Sequence, residues 1–339
     1  MEELRVLELF SGIGGMHYAL RTSQIPGTVV AAVDINTVAN VVYTHNFPET
    51  RLLNNNVQKL TPRAINKLDV NTILMSPPCQ PFTRVGNQRD VDDYRSDALK
   101  HLSDVVGDLT TVDKILMENV RGFEKSRAHD MYIQCLNSSG FDYREFIVSP
   151  TQLGVPNTRH RYFCIARRSR PFSFLQKDQI SMELPEECRA TSLEPFPVQR
   201  ILEVDGSLLE AYLIKDDTLL KRAWLLDIVT SEDTNTMCFT KAYVHYCEGT
   251  GSVFTPESAS VVSEVFGKAK EVRPDNVEYL KLLRSLKLRY FTPSEVARLM
   301  SFPADFSFPG ETTDRQRYRL LGNSINVLVV SELIKLLCL

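Results

Sequence analysis

The sequence predicts an α/β protein: a doubly wound, mostly parallel sheet, with a smaller region inserted before a C-terminal helix. Two observations carry that expectation. Short apolar runs bounded by turn residues alternate with amphipathic stretches through the first half of the chain, as in right-handed βαβ units whose sheet is covered on both faces. Near Arg170 the texture changes, and from Pro171 to Pro197 prolines and acidic residues crowd a stretch without period, as in a linker or extended excursion.

Taken in order, strands are expected at Leu4–Phe10, Val29–Ile35, Thr72–Met75, Lys114–Glu118, Tyr143–Val148 and Arg161–Arg167. Helical patterns cover Thr37–Phe47, Pro62–Leu68, Asp97–Asp108 and Ala128–Ser138. Thr61-Pro62 and Ser96-Asp97 read as helix starts, because a hydroxyl there can accept the free N–H groups of the first turn. From about Pro185 to Arg284 the elements shorten and resist typing. The tail is regular again: Pro293–Met300 opens on Thr292-Pro293-Ser294-Glu295, and Ile325–Leu337 is a long apolar helix placed to pack back on the first domain. The expected division is therefore 1–184 with 285–339 as one domain, and 185–284 as a smaller target-recognition domain.

Composition narrows the class. Of 339 residues, 43% are hydrophobic and 24% charged, as in soluble globular enzymes. No apolar run reaches the roughly 18 residues of a membrane span, and MEELRVLELF does not read as a signal peptide, so a cytoplasmic location is expected, with the nucleus open. A net charge of -3 means that a nucleic-acid partner would have to meet basic residues gathered on one face. Seven cysteines without CxxC spacing support neither a disulfide framework nor a zinc site, and no metal is expected. Cys135, Cys164 and Cys247 read as small buried hydrophobes.

Phe10-Ser11-Gly12-Ile13-Gly14-Gly15 follows the first strand and opens a helix, where α/β sheets bind ligands. It is not GxGxxG and lacks the Lys-Ser/Thr of a phosphate loop, which favours a small ligand with a carboxylate over a dinucleotide or a nucleoside triphosphate. Asp34 ends the second strand about 20 residues later, where an acid can accept from ribose hydroxyls. The alternative is a cap on the next helix at Asn36-Thr37, but an acid at this distance from a glycine loop favours the ribose. After the third strand, Pro77-Pro78 stiffens the chain ahead of Cys79 and fixes where that thiol points, as for a nucleophile. Glu118 closes a buried apolar run, a costly place for an acid that is neither paired nor functional. Arg159 and Arg161 share one face of an extended segment, either as a solvated basic edge or as part of a site.

Phe10–Gly15, Pro77-Pro78-Cys79-Gln80, Glu118-Asn119-Val120, Arg159-His160-Arg161 and Gly322-Asn323-Ser324, in that order, resemble the DNA cytosine-5 methyltransferase family over nearly the whole chain apart from the middle region. Within it the chain is similar to the branch that methylates aspartate tRNA. It is a bare catalytic unit, its nucleophile loop ends on Thr83 where DNA enzymes usually carry Ser, and the middle region holds Cys238-Phe239-Thr240 followed by Lys241-Ala242-Tyr243. It departs from the family at Asn157, commonly glutamine, and near Asn56, where an acid is common.

The resemblance implies a Rossmann-like class I methyltransferase fold and S-adenosylmethionine as methyl donor, with S-adenosylhomocysteine as product. It implies that Cys79 adds to carbon 6 of cytosine, that Glu118 contacts N3 and the exocyclic amine, and that Arg159 and Arg161 hold the base carbonyl. Phe10, Ile13, Gly14 and Gly15 would surround the methionine part; Asp34 would hold the ribose; Val57 and Gln58 would flank the adenine; Ser76, Pro78, Asn323 and Ser324 would close the pocket. Arg84, Cys238, Phe239, Thr240 and Lys241 would face the RNA, with Arg89, Arg95 and Arg289 as further basic residues along its path. The implied partner is tRNA, in the anticodon loop of aspartate tRNA, met by a monomer with at most weak DNA binding and no membrane contact. The competing readings are a DNA cytosine-5 methyltransferase, a catalytically silent nucleic-acid-binding homologue, and an unrelated small-molecule methyltransferase.

Overall fold

The computed structural model describes residues 2–78, 97–185, 194–204, 209–246, 248–272 and 277–339. Strands β1 (Leu4–Leu9), β2 (Gly27–Asp34), β3 (Leu52–Asn54), β4 (Thr72–Met75), β5 (Lys114–Val120), β6 (Asp142–Val148), β7 (Arg161–Arg167) and β8 (Ile180–Ser181) form one sheet in the order β3-β2-β1-β4-β5-β7-β6-β8. All pairings are parallel except those of β7, which runs antiparallel to both β5 and β6.

Strand side chains alternate, so each strand feeds two cores. Leu4 and Val6 of β1, with Leu74 and Leu116, face helices α1 (Gly15–Ser23), α2 (Thr37–Asn46) and the C-terminal helices. Leu7, Leu9, Ile73, Met75, Ile115 and Met117 face α3 (Pro62–Asn66), α4 (Asp97–Val105) and α5 (Arg127–Ser138) on the other side. A strand buried on both faces reads as a continuous apolar run, which is why β4 and β7 were expected at their observed bounds. α3 and α5 start on Thr61 and Ser126, whose side chains accept from Ala64 N and His129 N.

A third apolar cluster is built from Ile214, Leu219, Val253, Val265, Tyr279, Leu283 and Leu288. It joins α6 (Asp216–Arg222), α7 (Ala259–Glu271) and α8 (Val277–Ser285) to a small sheet of β9 (Ile228–Val229), β10 (Val253–Phe254) and β11 (Arg289–Tyr290). Val198, Ile201, Val229, Phe239, Tyr243 and Phe254 belong instead to the large core, so the chain returns to it repeatedly within this region.

The last three helices are α9 (Pro293–Leu299), α10 (Asp314–Asn323) and α11 (Val327–Cys338). By length and composition Asp314–Cys338 could pass for a membrane span, but 67% of its most apolar window is buried inside the fold. The chain leaves helical conformation between α10 and α11, and Asn326 caps α11 through Val329 N. α11 packs along α1 against the sheet, as its apolar pattern required, each buried Leu or Val contributing roughly 1.5–3 kcal/mol.

Candidate active site

The carboxyl ends of β1, β2, β4 and β5 open on a cleft of about 310 Å³. It gathers the loop after β1, Asp34, Ser76 to Pro78, Glu118, Arg159, Arg161, Lys241, and Asn323 with Ser324 from the end of α10.

The cofactor side is built from backbone strain and tight packing. Phe10 and Gly12 both have positive φ, 56° and 53°, so the chain turns sharply off β1. Asp34 fastens that turn: its Oδ2 accepts from Gly12 N at 2.8 Å and its Oδ1 from Asn36 N at 2.8 Å. The cap of α2 is Asn36 itself, accepting from Val38 N and Ala39 N. Asp34 therefore spends one acceptor site per oxygen and keeps the others for a ligand. Gly15 is required for space, since a Cβ there would stand 2.8 Å from Ile325 Cγ1.

The residues fit an S-adenosylmethionine-like ligand on three counts. Ser11 Oγ is buried without a hydrogen-bond partner among the described residues. Ile35, 66% exposed, offers apolar surface to a flat ring directly beside Asp34. Gly14 caps α1 without a side-chain acceptor, and because Glu8 below takes the His17 N–H, an anion would meet the helix start at Gly15. Ser11, Gly12 and Gly322 lay inside the motifs read from the sequence but were given no contact, and Ile35 was missed as a site residue, although an apolar residue directly after a strand-end acid was a usable signal for it.

Beneath this loop, Glu8 on β1 is fully buried. It accepts from the Tyr43 hydroxyl at 2.8 Å and from His17 N at 3.3 Å, while His17 Nδ1 lies 3.0 Å from the same hydroxyl. Burial pushes the Glu8 carboxyl up to about 8, against the pull of the Tyr43 hydrogen bond. Burial also lowers His17 to about 4, so the pair is neutral around pH 7.

On the chemistry side, the antiparallel course of β7 is decisive. It pairs Arg161 with Val120 and brings the entry to β7, rather than its exit, to the carboxyl end of β5. Arg161 Nε then lies 3.5 Å from Glu118 Oε1. Burial raises the Glu118 pKa, and the guanidinium charges of Arg161 and Arg159 only partly offset it. A carboxyl so placed can hold a proton and donate it.

Arg159 does not face the cleft as a free cation. It is 3% exposed and donates to Phe239 O at 3.0 Å, to Gly322 O at 3.1 Å and to Ser324 O. Arg159 and Arg161 do share one face, for both reach Cys238 Sγ, at 3.4 and 3.6 Å. Asn157, where the family commonly has glutamine, is buried and donates to Thr236 Oγ1 and Met237 O at 2.9 Å each. The 157–161 and 236–239 segments are thereby tied together.

Several expected contacts fall elsewhere. Phe239, expected at the RNA, is 2% exposed and packs edge-on against Tyr243 and Phe291 in the large core. Cys238 and Thr240 are not among the lining residues, and neither are Gly14, Val57 or Gln58. Val57 is buried in the turn after β3, where Gln58 is bonded to Asn56. Arg289 is no surface cation: it is 4% exposed and makes a two-armed ion pair with Glu295 at 2.7 and 2.8 Å. Cys79, Arg84, Arg89 and Arg95 lie outside the described residues.

The family model for C-5 cytosine-specific DNA methylase matches residues 4–338. The chain is 46% identical to the tRNA (cytosine(38)-C(5))-methyltransferase of Spodoptera frugiperda, over 98% of each chain. It is 41% identical to the protein of that name from Homo sapiens, over 99% of this chain and 100% of that one. The crystal structure of a Spodoptera frugiperda DNMT2 variant superposes with a TM-score of 0.91 at 46% identity, covering 99% of this chain and 100% of that one. A match of the family model from the first strand to the last helix, on a fold shared with such a structure, settles the lineage: the chain belongs to the C-5 cytosine-specific DNA methylase family.

Proposed function

We propose that this protein transfers a methyl group from S-adenosylmethionine to carbon 5 of a cytosine in tRNA, in the anticodon loop of aspartate tRNA. The observation that carries the reading is the meeting of Asp34, Glu118 and Arg161 in one cleft, which is also lined by Ser76, Pro77 and Pro78, the three residues that precede Cys79 in the sequence. The names of the relatives from Spodoptera frugiperda and Homo sapiens favour tRNA over DNA.

S-adenosylmethionine, when bound, supplies an electrophilic methyl group; Asp34, Ser11 and the 10–15 loop hold and orient it. Carbon 5 of cytosine is a weak nucleophile. The Cys79 thiolate forms a bond to carbon 6, while Glu118 gives a proton to N3, and the electron pair that would have charged the ring is directed to carbon 5. Arg161 orients Glu118. After methylation, loss of the carbon 5 proton to solvent restores the double bond between carbons 5 and 6, the Cys79 sulfur leaves with its bonding pair as thiolate, and N3 returns its proton to Glu118. An unpaired loop nucleotide enters such a cleft at less cost than a base stacked in a duplex. We place the enzyme in the cytoplasm and, in part, in the nucleus.

The test is transfer of labelled methyl from S-adenosylmethionine to aspartate tRNA and, separately, to a cytosine-containing DNA duplex, with Cys79→Ala beside wild type. Label on the tRNA that disappears in the variant is the expected result. Label chiefly on DNA overturns the substrate, and label undiminished in Cys79→Ala overturns the nucleophile.

A further inference from the structure

The charges around the floor of the cleft do not balance if only carboxylates are counted. Arg159 and Arg161 are both permanently cationic. Glu118 pairs with Arg161, and no carboxylate is within ion-pair distance of Arg159 among the described residues. The carbonyls of Phe239, Gly322 and Ser324 accept from its Nη1 and Nη2 but bring no charge, and its Nε is buried without a partner among the described residues. A cation buried to this degree is strongly destabilising unless it is paired. The remaining partner is Cys238, whose sulfur stands 3.4 Å from Arg159 Nη1 and 3.6 Å from Arg161 Nη2.

We propose that Cys238 exists in the folded enzyme as a thiolate, the counter-charge of Arg159 and Arg161 beside the proton-holding carboxyl of Glu118. Its role is to position the two guanidiniums. Ionisation releases the thiol proton to solvent and leaves the sulfur charge between the two forks. Burial by itself would raise this thiol's pKa, but the charges of Arg159 and Arg161 and their hydrogen bonds outweigh it and bring it below the ordinary value. Arg159 is in turn supported as a cation by Cys238 and Glu118 against the effects of burial and of Arg161.

The consequence concerns Glu118. With a thiolate taking up Arg159 and sharing Arg161, the carboxyl is not left to answer two positive charges alone and can retain its proton. Were Cys238 neutral, both guanidiniums would draw Glu118 toward its ionised form. Cys238 thus acts on the reaction through other side chains and is not among the residues that line the cleft.

The kinetic part of this inference rests on the methyl-transfer reading above; the ionisation does not. The first measurement is the thiolate ultraviolet absorbance of full-length wild type minus that of Cys238→Ser, followed against pH. A midpoint below the ordinary thiol value of about 8.5 is expected, and one at or above it overturns the thiolate. Should Cys238→Ser fail to fold, alkylation of Cys238 in wild type, read by peptide mass spectrometry over the same pH range, gives the same midpoint. The second measurement is kcat for tRNA methylation against pH in Cys238→Ser and Cys238→Asp. The serine variant is expected to lose at least about tenfold in kcat with S-adenosylmethionine binding unchanged, and its alkaline limb should move to lower pH. The aspartate, which restores an anion, should recover most of the loss. Aspartate no better than serine, in folded variants that bind the cofactor, overturns the positioning role. Wild type inactive on tRNA would refute the substrate and leave the titration to decide the thiolate.

Discussion

Gly322 at the end of α10 backs onto Lys241 so closely that a Cβ on the glycine would lie 2.1 Å from the lysine backbone nitrogen and 2.3 Å from the Thr240 carbonyl carbon. Both obstacles are backbone, so neither can swing aside. Gly322→Ala should therefore cost about 3 kcal/mol of stability, read by denaturant unfolding. It should also lower turnover, because the Gly322 carbonyl holds Arg159. An alanine variant as stable as wild type would mean that the two segments are not in contact.

Glu118→Gln keeps the size and polarity of the side chain but cannot release a proton to the ring. Turnover should fall by about 10²–10⁴-fold, with S-adenosylmethionine affinity unchanged in equilibrium titration. Burial holds the Glu118 pKa above 4.5, so the step that uses its proton should slow as pH rises through that raised value.

Glu8 makes stability depend on pH in a direction opposite to that of most carboxylates. Its folded pKa of about 8 exceeds the unfolded value of 4.5, so folding favours the protonated form. Below pH 4.5 both states hold the proton and nothing is lost. Between about 4.5 and 8 the unfolded chain gives it up while the folded one does not, so stability falls as pH rises through that window. Glu8→Gln removes the titration. Its melting temperature, compared with wild type across the window, should show the gap moving in favour of the variant as pH rises.

Glu295→Gln tests whether Arg289 belongs to the core. Glu295 is fully buried and also accepts from Thr292 N and Glu203 N. Neutralising it leaves Arg289 buried without a counter-charge, which should cost about 3–5 kcal/mol in unfolding free energy. A loss below about 1 kcal/mol would return Arg289 to the list of surface cations.

What could be read beforehand follows from the length and burial of each element. β4 and β7 were expected at Thr72–Met75 and Arg161–Arg167, where they are found, because apolar runs between turn residues carry their own boundaries. β3, β8 and the strands of the small sheet have two or three residues, too few to express a period. α10 was not anticipated: it buries only Tyr318, Leu320 and Leu321 among charged neighbours, so its apolar stripe is thin. The direction of β7 leaves no trace in its own residues, since alternation is the same read either way, yet that direction places Arg161 beside Glu118. Motif order located the cleft, but it could not distinguish the inward Phe239 and Arg289 from surface residues, because residue type does not state depth. The contact between Arg159 and Cys238 spans 79 positions and is a product of the fold alone.

Arg159 grips carbonyls from Phe239, Gly322 and Ser324, which lie 80, 163 and 165 positions further along the chain. One side chain is thus the keystone where the sheet, the inserted region and the C-terminal helices meet. The segments on either side of the cleft cannot drift apart without breaking this grip, which the Asn157 bonds to Thr236 and Met237 and the close packing of Gly322 on Lys241 reinforce.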